Sequence, residues 1–327
     1  MLVALRPSEE VTAALRRDLP HVPTAYAATS APGEWGNIEA ILVGSVEREL
    51  GAFDAASTPR LRFVQRAYTG LDRFPFARFP SPIRVAGNVG GYAPFVAEGA
   101  VALGLAAARS LVPAHRMVEA GRLRPTPEGV TFRGKTALIL GYGSIGREIA
   151  LRLSGFGMRV LGLNRTGRMA EGVAAMFPTD RLMDALTEAD VIFDARPLTR
   201  ATRGSLGPAQ FGRMRPEAVY VNVGRAGTVQ EEALYQHLST HPKFRAAMDV
   251  WWEEEYPDGR LGLRFPWTSL PNFTGSPHSS GAVPEAGPYG LALALQNLVR
   301  FFRGEEPRYL AEREEYTEDT PNPSAPT

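Results

Sequence analysis

The chain has 327 residues, 44% of them hydrophobic and 22% charged, with a formal net charge of +1. That length suits two domains, because single cores rarely grow past about 250 residues. The near-neutral balance argues against a nucleic-acid surface, which needs clustered Lys and Arg, and the lack of cysteine excludes disulfides, thiolate metal sites and a Cys nucleophile. Residues 1–18 show no basic region followed by an apolar run, so no signal peptide is expected. The longest apolar stretch, residues 95–111, is interrupted by Glu98 and short for a membrane span. The expectation is a cytoplasmic protein with neither nucleic acid nor membrane as a partner.

In chain order, residues 38–43 (IEAILV) and 61–65 (LRFVQ) read as strands, the second followed by a turn-rich Tyr68-Thr-Gly-Leu-Asp72. From Val96 to Ala120 apolar and small residues recur at helical spacing, predicting one long, largely buried helix. Residues 122–134 hold two prolines and two glycines and read as a connector. A new unit opens with Thr136–Leu140, a continuous apolar run of the kind buried on both sheet faces. A helix follows through Leu153, then strands at residues 159–163, 191–195, 219–223 and 246–250 with helical segments between them. This alternation means an α/β fold with a parallel sheet. A helix over residues 284–302 closes the fold, and the tail from about residue 311, rich in Glu, Pro, Ser and Thr, is expected to be disordered.

Gly141-Tyr142-Gly143-Ser144-Ile145-Gly146 stands between the strand at 136–140 and a helix, the context in which G-x-G-x-x-G binds a dinucleotide. The first glycine permits a tight turn, the second lets the backbone approach a pyrophosphate and the third lets helix pack on strand. The helix N-terminus then offers N–H groups to the phosphates. At the end of the second strand, where an NAD enzyme carries Asp or Glu for the ribose 2′-hydroxyl, this chain has Asn164-Arg165-Thr166. No carboxylate repels a 2′-phosphate there, Arg165 can pair with one and Thr166 can donate to it. NADPH (NADP+) is therefore expected over NADH, the alternative being a solvated Arg165 that expresses no preference.

Of the five histidines, His21, His115, His237 and His241 sit in ordinary polar or helical surroundings. His278 lies in Gly275-Ser-Pro-His-Ser-Ser-Gly281, a glycine-bounded loop. Two further loops follow strands: residues 222–227 (NVGRAG) and 249–254 (DVWWEE). Ligands bind at the carboxyl ends of parallel strands, so an arginine, a carboxylate and a histidine can converge there. No metal-ligand cluster is expected.

With these motifs in order and spacing, together with Pro197-Leu-Thr199, Thr202-Arg-Gly204 and residues 247–250 (AMDV), the chain resembles the D-isomer-specific 2-hydroxyacid dehydrogenases over roughly residues 60 to 300. The resemblance implies two doubly wound parallel-sheet domains of Rossmann/flavodoxin-like type with an active-site cleft between them. It places a discontinuous substrate domain at 1–94 plus 282–327 and a dinucleotide-binding domain at 95–281. It implies a catalytic set of Arg225, Glu254 and His278, and adds Pro197, Thr199, Val223, Gly224, Asp249 and Gly281 to the cofactor site, with Asp249 near the nicotinamide. Backbone N–H groups around Val89, Gly90, Gly91 and Tyr92 would bind the substrate carboxylate. A homodimer is implied through the helix starting near Val96.

The residue types suit reduction of a 2-keto acid. His278 as imidazolium gives a proton to the carbonyl oxygen and takes it back in the reverse direction. Glu254 would orient the ring and stabilise its charged form, although Glu253 and Glu255 flank it. Arg225 offers a planar fork to the substrate carboxylate and polarises the carbonyl. Within the family, formate dehydrogenases carry an amide in place of Glu254. Arg196, where the family has an apolar residue, is either a second cation near the cofactor phosphates or an exposed strand-end charge. Trp251 and Trp252 would pack between domains or, failing that, line the substrate cleft. The alternative to an enzyme is a dinucleotide-sensing interaction protein of corepressor type.

Overall fold

The computed structural model describes residues 1–30, 32–123, 129–255 and 259–316. The chain divides into two compact units, residues 1–92 with 283–327 and residues 93–282. The expected boundaries at 94/95 and 281/282 therefore move to 92/93 and 282/283.

The first unit holds a parallel five-stranded sheet built from β1 (Leu2–Val3), β2 (Ala25–Tyr26), β3 (Ala40–Val43), β4 (Phe63–Arg66) and β5 (Arg84–Ala86), in the order β2-β1-β3-β4-β5. All four residues of β3 are buried, as a strand covered on both faces requires. The helix Ala286–Phe302 covers one face through Leu291, Ala294, Leu295, Leu298 and Phe301, the apolar stripe that a 3.6-residue period generates.

Residues 311–316, expected to be disordered, are ordered against this unit. The Ala311 N–H donates to the Val85 carbonyl at 2.8 Å, Tyr316 stacks on Phe76 with ring centroids 5.6 Å apart, and Arg313 donates to the Phe76 and Ile83 carbonyls. The polar composition hid one arginine and one aromatic that each find a partner. The rest of the expected disordered tail, residues 317–327, lies outside the described residues, as does part of the 122–134 connector.

The second unit holds a parallel seven-stranded sheet: β6 (Thr136–Leu140), β7 (Arg159–Asn164), β8 (Ala175–Pro178), β9 (Val191–Asp194), β10 (Val219–Asn222), β11 (Arg245–Met248) and, after a hairpin of β12 (Glu253–Glu255) and β13 (Arg260–Gly262), β14 (Phe273–Gly275). The order β14-β11-β10-β9-β6-β7-β8 reverses direction between β6 and β9, the switch point at which doubly wound sheets bind dinucleotides. β9, β10 and β11 are buried at every residue.

The single helix expected over residues 96–120 is two, Ala93–Ala108 and Leu111–Glu119, joined through Ser110 in the left-handed conformation (φ 50°). Pro113 is the cause: in a continuous helix its ring would meet the carbonyl of Arg109 and its missing N–H would break the ladder. In the first of the pair, Gly104 lets the helix lie close on the sheet, since a Cβ there would come within 3.1 Å of Phe193 and 3.2 Å of Phe132. Among the described residues no single helix is long and apolar enough to cross a membrane.

Candidate active site at the carboxyl edge of the larger sheet

The candidate residues of the second unit lie at the carboxyl ends of its parallel strands, in the loops or helix start that follow them, or in the hairpin that follows β11. The turn after β6 shows the three demands a dinucleotide makes on glycine. Gly141 has φ +83°, a region other residues rarely adopt, and a Cβ there would strike Arg196 at 2.9–3.0 Å. Nothing stands within 4 Å of a Cβ built on Gly143, so the backbone is open to a pyrophosphate. A Cβ on Gly146 would meet the Gly141 carbonyl at 2.8 Å and Ile139 at 3.0 Å. The helix Ser144–Ser154 starts here with Gly143 as its N-cap and no capping side chain, which leaves its positive end for an anion. These residues fit a nicotinamide dinucleotide. Tyr142, expected among the cofactor contacts, lines a depression next to this turn; it is 6% exposed and its hydroxyl donates to the Glu171 carbonyl at 2.6 Å.

At the end of β7, Asn164 organises the next loop. Its Oδ1 accepts from the Thr166 and Gly167 N–H groups at 3.1 and 2.7 Å, and its Nδ2 donates to the Arg168 carbonyl at 3.0 Å. This local turn holds Arg165 and Thr166 at the exposed rim. Asn164 and Thr166 share a depression with Arg147, Arg168 and Glu171; the two arginines were not among the expected site residues.

Arg225 follows β10. Asn222 Oδ1 accepts the Gly224 N–H at 3.0 Å, Asn222 Nδ2 donates to the Arg225 carbonyl at 3.2 Å, and Arg225 Nη1 donates to the Gly224 carbonyl at 2.8 Å. Arg196 is not an exposed strand-end charge, and it lies against Gly141 of the dinucleotide turn. It is 6% exposed and forms a two-pronged ion pair with Asp194, its Nε and Nη2 at 2.9 and 2.6 Å from the two carboxylate oxygens. A buried guanidinium of this kind persists because the carboxylate offsets its desolvation.

His278 follows β14 with φ +53°, an unusual conformation for a residue with a Cβ. Two carboxylates hold it there. Asp249, 2% exposed, accepts the Ser279 N–H and Ser276 hydroxyl on Oδ1 at 2.9 and 2.5 Å, and the Ser280 N–H on Oδ2 at 3.0 Å. These bonds tie Asp249 to the loop on both sides of His278, a task that its expected place near the nicotinamide did not include. Glu254 accepts the Trp251 N–H on Oε1 at 2.8 Å and lies 3.0 Å from His278 Nδ1 through Oε2. Glu253 faces the other way, its carboxylate against Gly262 of β13. The loop also packs closely on the helix Ala93–Ala108, where a Cβ on Gly99 would lie 2.6 Å from Ser280.

Trp251 and Trp252 belong to this unit's own core. Trp251 Nε1 donates to the Ser276 carbonyl and Trp252 Nε1 to the Val229 carbonyl, each at 2.9 Å; Trp252 also stacks on Trp267. They brace the Glu254 hairpin.

The remaining candidates, Val89 to Tyr92, follow β5 in the first unit. Gly91 N–H donates to the Asn88 carbonyl at 3.1 Å and Gly90 has φ +95°, which makes a tight turn with glycine where φ must be positive. Asn88 is buried and donates to the Ala67 and Gly290 carbonyls at 2.9 and 2.8 Å. The Asn88 and Gly91 N–H groups are committed inside the unit. Tyr92 packs on Tyr68, ring centroids 5.8 Å apart, and burial, with Tyr68 beside it, pushes its hydroxyl up to about 12.

The structure thus brings Glu254 against His278, and sets Arg225 on the strand end two places away in the sheet, across β11. The residues missed from sequence are the supports: Asp194 and Thr228 for Arg225, and Ser276 for the His278 loop. Their signal is faint, a carboxylate two residues before an unexpected arginine. Among the described residues no group of three or more His, Asp or Glu is placed to hold a metal ion.

Residues 101–280 match the family model described as the NAD-binding domain of D-isomer specific 2-hydroxyacid dehydrogenases. The chain is 33% identical over 270 residues to a glyoxylate reductase of Aeropyrum pernix, covering 79% of this chain and 78% of that one. Among solved structures it is similar to a Pyrobaculum aerophilum chain provisionally described as a formate dehydrogenase, with a TM-score of 0.81, 29% identity and coverage of 97% and 99% of the two chains. It is also similar to an NADPH-dependent glyoxylate/hydroxypyruvate reductase of Sinorhizobium meliloti solved with NADP and malonate, with a TM-score of 0.73, 25% identity and coverage of 96% and 97%. This chain belongs to the D-isomer specific 2-hydroxyacid dehydrogenase family and is a nicotinamide-dependent oxidoreductase.

Proposed function

We propose that the chain reduces a small 2-keto acid, of glyoxylate or hydroxypyruvate size, to the D-2-hydroxy acid, with NADPH preferred over NADH. The observation that carries this reading is the 3.0 Å contact between His278 Nδ1 and Glu254 Oε2 beside the Arg225 loop. With Nδ1 turned to the carboxylate, Nε2 is the nitrogen that hands a proton to the nascent alkoxide. Arg225 binds the substrate carboxylate through its fork and draws charge from the neighbouring carbonyl. The nicotinamide, when bound, supplies the hydride. Oxidation of formate moves no proton, so the histidine–glutamate pair favours a keto acid over the activity suggested for the Pyrobaculum relative.

The coenzyme preference rests on the loop after β7, where Asn164 stands in place of a carboxylate, Arg165 is exposed, and Arg147 and Arg168 line one depression with Thr166. The NADP bound by the Sinorhizobium relative agrees with it. A homodimer is part of the same proposal. The helix Leu111–Glu119 buries none of its residues, and its Leu111 and Val118 are 54% and 73% exposed, an apolar face that a second copy would cover. Cytoplasmic location goes with a cofactor pool of that compartment.

The test is the initial rate of NADPH and NADH oxidation with glyoxylate, hydroxypyruvate, pyruvate and phenylpyruvate. Turnover with the two smaller acids and NADPH, at least ten times faster than with NADH at low coenzyme, is the expected result. Absence of turnover with every acid, despite measured coenzyme binding, would overturn it.

A further inference from the structure

Two glycines with unrelated tasks press on one buried residue. A Cβ on Gly141, the first glycine of the dinucleotide turn, would meet Arg196 at 2.9–3.0 Å, and a Cβ on Gly224, next to Arg225, would meet the Arg196 carbonyl at 2.5 Å. Arg196 is anchored by Asp194, which is fully buried. The Asp194 carboxylate accepts from the Arg196 N–H, Nε and Nη2, from the Tyr220 hydroxyl at 3.1 Å and from Thr228 Oγ1 at 3.1 Å. Thr228 Oγ1 also lies 2.8 Å from the Arg225 carbonyl, so its one proton is shared between that carbonyl and Asp194. The Asp194 backbone carbonyl takes the N–H groups of Val223 and Gly224, both at 3.0 Å. Arg196 Nη1 completes the network on Ser205 at 2.9 Å.

We propose that the buried Asp194–Arg196 pair, acting through Thr228, is the positioning element that fixes the Arg225 loop relative to the dinucleotide turn. This rests on the reading of Arg225 as the group that binds the substrate carboxylate. The pair costs desolvation that an apolar pair of the same volume would avoid; what it provides is direction. A carboxylate held in two prongs has one orientation, and that orientation aims its remaining lone pairs at Thr228 and Tyr220. An error of about 1 Å in such a support can cost on the order of 10²-fold in rate.

The test uses Thr228 variants of the full chain, because removing Asp194 or Arg196 alone strands a buried charge and invites unfolding. Thr228→Val keeps the shape and removes the hydroxyl, whereas Thr228→Ser keeps the hydroxyl and removes the methyl. Two readouts are taken: kcat/KM with glyoxylate, and the dissociation constant of oxalate, a keto-acid mimic, from the NADPH-bound protein followed by coenzyme fluorescence. Thr228→Val should weaken oxalate at least tenfold and lower kcat/KM by a similar factor, with NADPH binding changed less than about threefold. Thr228→Ser should stay within about threefold of the parent in both. A further variant, Asp194→Leu with Arg196→Met, removes the pair without leaving a lone charge and should lose oxalate affinity while NADPH still binds. Parent-like oxalate affinity in both the Thr228→Val and the double variant would overturn the proposal. A parent protein that binds oxalate but turns over no keto acid would instead count against the proposed activity and leave the binding comparison standing as the test.

Discussion

The ends of β10, β11 and β14 and the end of β7 belong to the same sheet edge, yet they are built in different ways. At the first three, the loops carrying Arg225 and His278 rest on carboxylates withdrawn from solvent: Asp194 is fully buried and Asp249 is 2% exposed. Each accepts several hydrogen bonds, and removing a donor from a buried acceptor leaves its desolvation cost uncompensated. At the end of β7, Asn164 makes a local turn and leaves Arg165 and Thr166 at the rim. Under the proposed function, geometry for the reaction is tied to the core, while the choice of coenzyme would sit on a loop whose side chains can change without disturbing the sheet.

Four variants or conditions sharpen this contrast. Arg225→Leu should lower kcat/KM with glyoxylate by about 10²- to 10³-fold, the usual cost of an electrostatic partner of the developing charge, while NADPH binding measured by fluorescence stays near the parent. Arg165→Ala should raise KM for NADPH by roughly 10- to 150-fold, the equivalent of about 1.5–3 kcal/mol for a charged hydrogen bond, and leave KM for NADH and the melting temperature unchanged. Equal effects on both coenzymes would erase the distinction between the two ends of the sheet.

Asp249→Asn should slow turnover about tenfold and lower the melting temperature together, because charge-assisted bonds to Ser279 and Ser280 become neutral ones, worth roughly half as much. A loss of rate without a loss of stability would show that Asp249 works on substrate or coenzyme directly rather than through the loop.

The smallest effect concerns His237, far from the chemistry. Burial, with His241 stacked beside it, lowers its pKa from 6.5 to about 4. The unfolded chain takes up this proton near 6.5 and the folded one only near 4, so stability falls as pH drops through that window and is independent of this group above it. His237→Phe should flatten the melting temperature between those pH values, as read by a thermal scan; an unchanged pH slope would show that other groups set it.

What the sequence makes legible follows the same contrast. The dinucleotide turn can be read because glycine is demanded by backbone geometry at Gly141 and by packing at Gly146, and neither depends on distant partners. Buried strands such as β6 and β10 can be read because both faces are apolar. At Asn164-Arg165-Thr166 the sequence itself shows that a carboxylate is missing. The supports are another matter. Arg196 carries no sequence mark of burial; only the turn of the chain after β9 brings it back on Asp194. Glu254 is distinguished from Glu253 by the register of a hairpin whose second strand, β13, has no strong pattern. The break at Ser110 was signalled by Pro113 but masked by the helical periodicity on both sides. Asp249 could be placed at a strand end, yet its hold on Ser276, Ser279 and Ser280 arises only when β11 and β14 lie side by side.

The central claim, that His278 held by Glu254 protonates the substrate oxygen, is tested most directly by the pH dependence of kcat/KM for glyoxylate in the parent protein and in His278→Gln. The parent should lose rate as pH rises, since the reduction takes up a proton. The variant should be slower by about 10²- to 10⁴-fold, the contribution of a positioned general acid, and flat over the same range. A variant that keeps the parent's rate and profile would contradict the account and move the proton donor to another group.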